Sequence, residues 1–160
     1  MIELKIMPAV NVAYVTCVGS FGKIGHAYKH LMGWAKARDL LGGHTITVYH
    51  DNPESTPMYK FRQSACLELS QEVDDPEDDG IRMTTISEGL YAVGRFEVTF
   101  AEFRGVWKLM FAWVRANSYE VLSNRGCYEI YYNNFKTHPE RKSIIDICIP
   151  IQEQDVVAQE

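Results

Sequence analysis

Residues 21–41 read FGKIGHAYKHLMGWAKARDLL, and residues 100–116 read FAEFRGVWKLMFAWVRA. In both stretches apolar side chains recur three or four residues apart, which is the spacing of one face of an α-helix. At an offset of 79 residues the stretches match at Phe21 with Phe100, Tyr28 with Trp107, and Trp34 with Trp113. The sequence therefore predicts two long amphipathic helices that belong to an internal repeat.

The residues that flank these stretches indicate where each helix begins and ends. Thr99 and Glu102 have the spacing of a capping box, which predicts the start of the second helix. Ser20 is a good N-cap residue for the first helix, and Gly42-Gly43 predicts its end.

The repeat continues beyond the helices at an offset of 82 residues. Matching positions are Val48-Tyr49 with Ile130-Tyr131, Asn52 with Asn134, Pro57 with Pro139, and Cys66 with Cys148. Strands are predicted before the helices near 4–18 and 86–97, and after them at 44–50 with 61–70 and 127–133 with 142–151. The predicted fold is α+β: a tandem pseudo-twofold repeat of a strand–helix–strand–strand unit. In it, an antiparallel sheet carries two long helices on one side and a ligand groove between the halves.

One domain of this kind accounts for the whole chain, 1–160. Repeat one spans about 4–70, a linker about 71–80, repeat two about 81–151, and a C-terminal tail 152–160. The linker carries six acidic side chains between Glu72 and Asp79, a pattern typical of a solvated connection.

Composition excludes several classes of function. A net charge of −5 argues against direct binding to nucleic acid, which needs a basic face. The four cysteines lack CxxC spacing and lie in apolar runs, as buried free thiols do. The sequence begins with no signal peptide pattern and has no apolar run long enough to span a membrane. We expect a cytoplasmic protein that contacts no membrane.

The two copies differ at one informative position, where Glu129 replaces Thr47. Strand side chains alternate between faces, so Glu129 and Tyr131 should share a groove with Thr47 and Tyr49. Their neighbours in the same strands are expected to face the helices: Ile46, Val48, Tyr128 and Ile130.

Several roles for these side chains follow from the residue types alone. Glu129 could face solvent beside Arg125 or Arg141, hold a cation with aromatic neighbours, or act as an acid or base. Trp107 lies on the apolar stripe of the second helix, which favours the core, and it is also included among the ligand-binding candidates. His26 and His30 are four residues apart, but no third ligand follows, so we expect no metal and no cofactor.

The segment Val48-Tyr49-His50-Asp51-Asn52-Pro53-Glu54-Ser55-Thr56-Pro57 resembles the family of DNA gyrase inhibitory proteins. It is similar also to the effector-binding domains of AraC-type and MerR-type multidrug regulators. Weaker matches from about Pro8 to Ile151 extend the resemblance over nearly the whole chain. Two features depart from the family pattern: Val98-Thr99-Phe100 lacks a glycine before its helix, and the proline that commonly lies shortly before the glutamate strand is missing at Asn124-Arg125-Gly126-Cys127.

The resemblance implies two strand–helix–strand–strand units around a central pocket whose glutamate falls on Glu129. In the regulators that glutamate meets lipophilic cations. Some standalone members of the family are described as hydrolases of cyclopropane-bearing toxins, and others restrain DNA gyrase.

We interpret the chain as a bacterial binding protein for amphiphilic, cationic or aromatic small molecules, with a role in protection against toxins or stress. The expected ligand-binding residues are Glu129, Tyr131, Tyr49, Thr47 and Trp107. Two alternatives remain open: a hydrolase in which Glu129 is the catalytic residue, and an inhibitory partner of gyrase.

Overall fold

The computed structural model describes residues 1–154 and contains two long helices and nine strands within that range. The helices are α1, Ile24–Ala37, and α2, Phe103–Ala116. The strands are β1 Ile2–Met7, β2 Val10–Val18, β3 Thr45–Tyr49, β4 Arg62–Glu68, β5 Arg82–Ile86, β6 Gly89–Val98, β7 Tyr119–Val121, β8 Cys127–Tyr131 and β9 Ser143–Glu153.

All strand pairs are antiparallel, and the sheet has the order β1-β6-β9-β8-β3-β4-β2-β5, with β7 added to the far end of β9. Outward from the central β3–β8 pair the order is equivalent on both sides, since β4, β2 and β5 follow β3 as β9, β6 and β1 follow β8. The predicted α+β fold with an antiparallel sheet and two long helices is confirmed. Superposition of residues 8–69 on residues 86–151 stays a prediction.

Two short connections force the sheet to curl. β1 and β2 lie near opposite ends of the strand order, yet only Pro8 and Ala9 separate them along the chain. Ser87 and Glu88 join β5 to β6 across the same gap. Because consecutive Cα atoms are about 3.8 Å apart, Met7 and Val10 lie within about 11 Å of each other. The two ends of the sheet therefore meet, and the sheet has an inner and an outer face.

The inner face has a core of its own that includes no helix residue. Val12, Ile46, Tyr91, Tyr128 and Cys148 are among its buried members, contributed by strands from both halves. The buried side chains of this core are shielded from water by the curled sheet itself.

The outer face carries both helices. α1 packs through Leu31 and Trp34 on Ala65 and Leu67 of β4, forming the core of the first half. α2 packs in the same way on β6 and β9, where the buried isoleucines of β9 meet Met110 and Val114. Both helices thus lie on one side of the sheet, as predicted.

Helix boundaries differ in part from the sequence prediction. The capping box at Thr99 and Glu102 is present, with the Thr99 N–H donating to Glu102 Oε1 at 2.9 Å, and one 3₁₀ turn separates it from α2. α1 ends at Ala37, before the predicted Gly42-Gly43 stop. Asp39 adopts a φ of 55°, and the Leu40 N–H donates to the Ala35 carbonyl at 2.9 Å. This turn satisfies the last carbonyls, so the helix needs no glycine to end.

The predicted strand near 4–18 is two strands, β1 and β2, because the chain crosses from one end of the sheet to the other at Pro8-Ala9. The predicted strand near 86–97 corresponds to β6, and β5 precedes it at Arg82–Ile86. The linker 71–80 has no helix or strand and lies against α1, where Trp34 Nε1 donates to the Pro76 carbonyl at 2.7 Å. Residues 155–160 of the predicted tail lie outside the described residues. Within residues 1–154 no helix has the length and apolar character needed to cross a membrane.

Replacing the buried Leu31 of α1 should test the packing of helix on sheet. Leu31 is 0% exposed, so Leu31→Ala should lower the free energy of unfolding by about 2–5 kcal/mol, measured by urea denaturation. Leu109→Ala on α2 is the matched control, because Leu109 is 53% exposed and its loss should cost less than about 0.5 kcal/mol. Equal losses for the two variants would contradict the packing described.

Candidate functional site

The candidate site lies where the two halves of the sheet join. β3 and β8 pair antiparallel with Thr47 directly opposite Glu129, and Thr45 opposite Tyr131. Side chains of opposed residues lie on the same face of a sheet, so Thr47 and Glu129 point together. Their partners Tyr28 and Trp107 come from α1 and α2, which places the site on the outer face, beneath the two helices.

The carboxyl group of Glu129 is fully buried, with an exposed fraction of 0%. Its Oε1 accepts a short hydrogen bond from the Tyr49 hydroxyl, and the Tyr131 hydroxyl lies 3.5 Å away. Its Oε2 makes no hydrogen bond of ordinary geometry with the residues that the structure describes. Glu129 forms no ion pair within residues 1–154, so neither Arg125 nor Arg141 neutralises it, and the expectation of a solvated surface acid is wrong.

Burial changes the acidity of this carboxyl group. It raises the pKa of Glu129 to about 7, because the ionised form loses its hydration, while hydrogen bonding from Tyr49, Trp107 and Tyr131 opposes the shift. The carboxyl group therefore titrates near neutral pH.

A chain of hydroxyl groups links α1 to the centre of the sheet. The hydroxyl oxygen of Tyr28 on α1 lies 2.8 Å from Thr47 Oγ1, and Thr47 Oγ1 lies 2.8 Å from the hydroxyl oxygen of Tyr131. The ring of Tyr131 meets the ring of Tyr28 edge-on, with centroids 6.4 Å apart. Burial raises the pKa of Tyr28 and Tyr131, so both remain neutral phenols that donate or accept hydrogen bonds.

Aromatic rings from α2 and from the residue before β4 complete the site. Trp107 meets Tyr49 edge-on at 5.5 Å between centroids, and the Phe61 ring lies 6.1 Å from the Tyr49 ring. Trp107 and Tyr49 are themselves only partly buried. Glu129 itself is fully buried, so a ligand that reaches the carboxyl group must displace some of the side chains around it.

The five candidate residues named from the sequence lie together, since Glu129 is surrounded by Tyr49, Tyr131, Thr47 and Trp107. The predicted orientation of the side chains in β3 and β8 was wrong. Ile46, Val48, Tyr128 and Ile130 point to the inner face, away from the helices. Alternation fixes which residues share a face, but the sequence does not reveal that the curled sheet builds a second core.

Tyr28 is the site residue that sequence reasoning missed. Its place on the apolar stripe of α1 is typical of a core residue. Its hydroxyl group, which a purely apolar core residue would lack, was the signal that could have marked it as a site residue. The repeat aligns Tyr28 with Trp107, and the two residues are indeed the contributions of α1 and α2 to the site.

The DNA gyrase inhibitor of Escherichia coli (strain K12) is 30% identical over 135 residues, covering 82% of this chain and 85% of the inhibitor. The crystal structure of the EcmrR C-terminal domain has a TM-score of 0.75 at 16% identity, covering 96% of this chain and 98% of that chain.

A second solved structure, SAV2435 bound to tetraphenylphosphonium, has a TM-score of 0.65 at 11% identity and covers 95% of this chain and 94% of that chain. These likenesses establish the fold. The model of the GyrI-like small molecule binding domain matches residues 1–152. The chain is therefore a member of the GyrI-like small-molecule-binding domain family.

Proposed function

We propose that this protein captures amphiphilic cations that carry aromatic groups, and that Glu129 is the anion that holds them. The observation that carries this proposal is a fully buried carboxyl group that makes no ion pair with the described residues and whose Oε2 has no hydrogen bond of ordinary geometry. An unpaired buried charge is strongly disfavoured, so the site gains most from a ligand that supplies a positive charge.

The surroundings of Glu129 suit the apolar part of such a ligand. Tyr49, Tyr131 and Trp107 offer ring faces and edges within reach of the carboxyl group, and aromatic faces attract cations. An aromatic wall with one charged anchor favours lipophilic cations over hydrophilic ones.

The similar fold of SAV2435 supports the same ligand class, because that protein was solved with tetraphenylphosphonium, a lipophilic cation with four phenyl groups. Tetraphenylphosphonium is a suitable probe, since its charge is permanent and it has no titratable group. Any dependence of its binding on pH then comes from the protein.

Removing the charge of Glu129 should weaken the binding of tetraphenylphosphonium. Glu129→Gln keeps the shape of the side chain, and loss of the buried charge contact should reduce affinity about ten- to a hundredfold by isothermal titration calorimetry. The neutral triphenylphosphine oxide should bind both proteins alike. Glu72→Gln, in the exposed linker, is the matched control and should bind as the wild type does.

Unchanged affinity in Glu129→Gln would overturn the proposal of a cation anchor. The recovered ligand distinguishes binding from hydrolysis. A cyclopropane-bearing electrophile that the wild type converts and Glu129→Gln binds but returns intact would make Glu129 a catalytic base instead.

Binding of tetraphenylphosphonium should strengthen as the pH rises. With the pKa of Glu129 at about 7, the carboxyl group is mostly neutral at pH 6 and mostly ionised at pH 8, so affinity should rise about tenfold across that interval. Binding near pH 7 should also release protons, which appears as a dependence of the calorimetric heat on the ionisation enthalpy of the buffer. Glu129→Gln should abolish both effects, and a flat profile in the wild type would contradict this role for the carboxyl group.

Gyrase is a second candidate partner, because a relative 30% identical over most of both chains is a DNA gyrase inhibitor. Inhibition would appear as reduced supercoiling of relaxed plasmid by purified gyrase when the protein is added. Repeating the assay with saturating tetraphenylphosphonium asks whether the two partners compete. Full supercoiling at large molar excess of the protein would exclude this role.

A further inference from the structure

A cavity of about 350 Å³ opens on the inner face of the curled sheet, on the side opposite Glu129. Cavities of this size accommodate small organic ligands. β2, β3, β4, β5, β6 and β8 contribute to its wall, together with the loop that precedes β8. Neighbouring residues of β8 thus point to opposite faces, with Glu129 at the candidate site and Tyr128 at this inner cavity.

The charge of the inner cavity is opposite to that of the Glu129 site. Arg62 and Arg125 contribute to its wall, and none of the described residues that line it is acidic. This contrasts with the whole chain, whose net charge is −5. Arg62 is neutralised by a two-pronged ion pair with Asp51, in which Nη2 lies 2.9 Å from Oδ1.

Arg125 makes no ion pair with the residues that the structure describes. Its guanidinium lies over Gly89, where an added Cβ would be 1.8 Å from Nη1. Glycine at this position therefore allows the charged group to lie against the start of β6, at the mouth of the cavity. The polar neighbour of Arg125 is the Tyr91 hydroxyl, which leaves the guanidinium charge without a counter-ion among the described residues. A guanidinium of this kind beside a concave surface attracts carboxylates, sulfonates and phosphates.

Hydroxyl and imidazole groups cover one wall of the inner cavity. Ser64 is 2% exposed, and its Oγ lies 2.6 Å from His50 Nε2 and 2.7 Å from Thr16 Oγ1. Desolvation and the nearby Arg62 lower the pKa of His50, so its imidazole is neutral at pH 7. This wall offers hydrogen bonds to an anion without adding negative charge.

Tyr128 supplies an independent indication of a ligand. It lines the cavity and is 1% exposed, and its hydroxyl makes no hydrogen bond of ordinary geometry with the described residues, the Cys148 thiol being a polar neighbour. Buried hydroxyl groups normally have a partner, because leaving one unpaired costs about 1–3 kcal/mol. Because the hydroxyl oxygen is itself buried, a ligand oxygen reaches it only when the wall of the cavity shifts. The rings of Tyr91 and Tyr128, 5.2 Å apart, provide apolar surface beside it.

We propose that the inner cavity is a second binding site, which takes a small organic anion with an aromatic or otherwise apolar body. The anionic group lies against Arg125 and the hydroxyl groups, and the apolar body lies on Tyr91, Tyr128 and Val48. The protein then binds opposite charges on the two faces of one sheet.

Two probes of matched shape and opposite charge separate the two sites. Naphthalene-1-sulfonate represents the anion, and 1-naphthylmethylammonium represents the cation. Arg125→Gln should weaken the sulfonate at least about tenfold by isothermal titration calorimetry and leave the ammonium compound unchanged. Glu129→Gln should do the reverse. Arg104→Gln, an exposed position on α2, is the matched control and should alter neither.

Tyr128→Phe provides a test that does not depend on charge. It removes only the unpaired hydroxyl, so the free protein should melt at the same or a higher temperature while the sulfonate binds several-fold more weakly. If Arg125→Gln fails to fold, this variant decides. The proposal is overturned if the wild type does not bind the sulfonate, if Arg125→Gln matches Arg104→Gln, or if Glu129→Gln weakens both probes.

Discussion

The pairing of β3 with β8 is the constraint on which the rest of the molecule depends. It is the one contact between strands that joins the halves at the middle of the sheet, and it sets Thr47 opposite Glu129. Every second residue along the two strands then belongs to the outer face, where the helices pack, and the others to the inner core. A shift of the register by one residue would exchange the two sets and bring Glu129 into the apolar interior.

Burial of Glu129 lowers the stability of the ligand-free protein at neutral pH and above. A carboxyl group with its pKa raised to about 7 contributes its full stability only below its unfolded value near 4.5. That stability is lost as the pH rises through 7, because the ionised form is then buried without a counter-ion. In the proposed complex a bound cation would replace the missing partner. The same group that makes the empty protein less stable would then give that complex its selectivity for charge.

Much of the fold could be predicted from the sequence, because an amphipathic helix and a mid-strand glutamate are local signals and the repeat makes them comparable. Glu129 was found by its mismatch with Thr47. The prediction that failed concerns which side chains of β3 and β8 face the helices. That choice depends on how the two ends of the sheet meet, and the periodicity of a single strand carries no information about it. Tyr28 and the inner cavity were missed for the same reason, since their contacts join residues from strands and helices far apart in the chain.

Because of the two-residue links at Pro8-Ala9 and Ser87-Glu88, strands of the first half pair with strands that are synthesised much later. β1 leaves the ribosome well before its partner β6, which begins at Gly89, and the outer edge of β2 stays uncovered until β5 follows. Until then the nascent first half has open strand edges and an apolar inner face without a lid. Contacts so distant in sequence slow folding, because a long loop must close before any of them forms. The first half therefore cannot complete its fold until the second half is translated. A nascent chain stalled before β6 would expose unpaired strand edges and apolar surface, which favour aggregation.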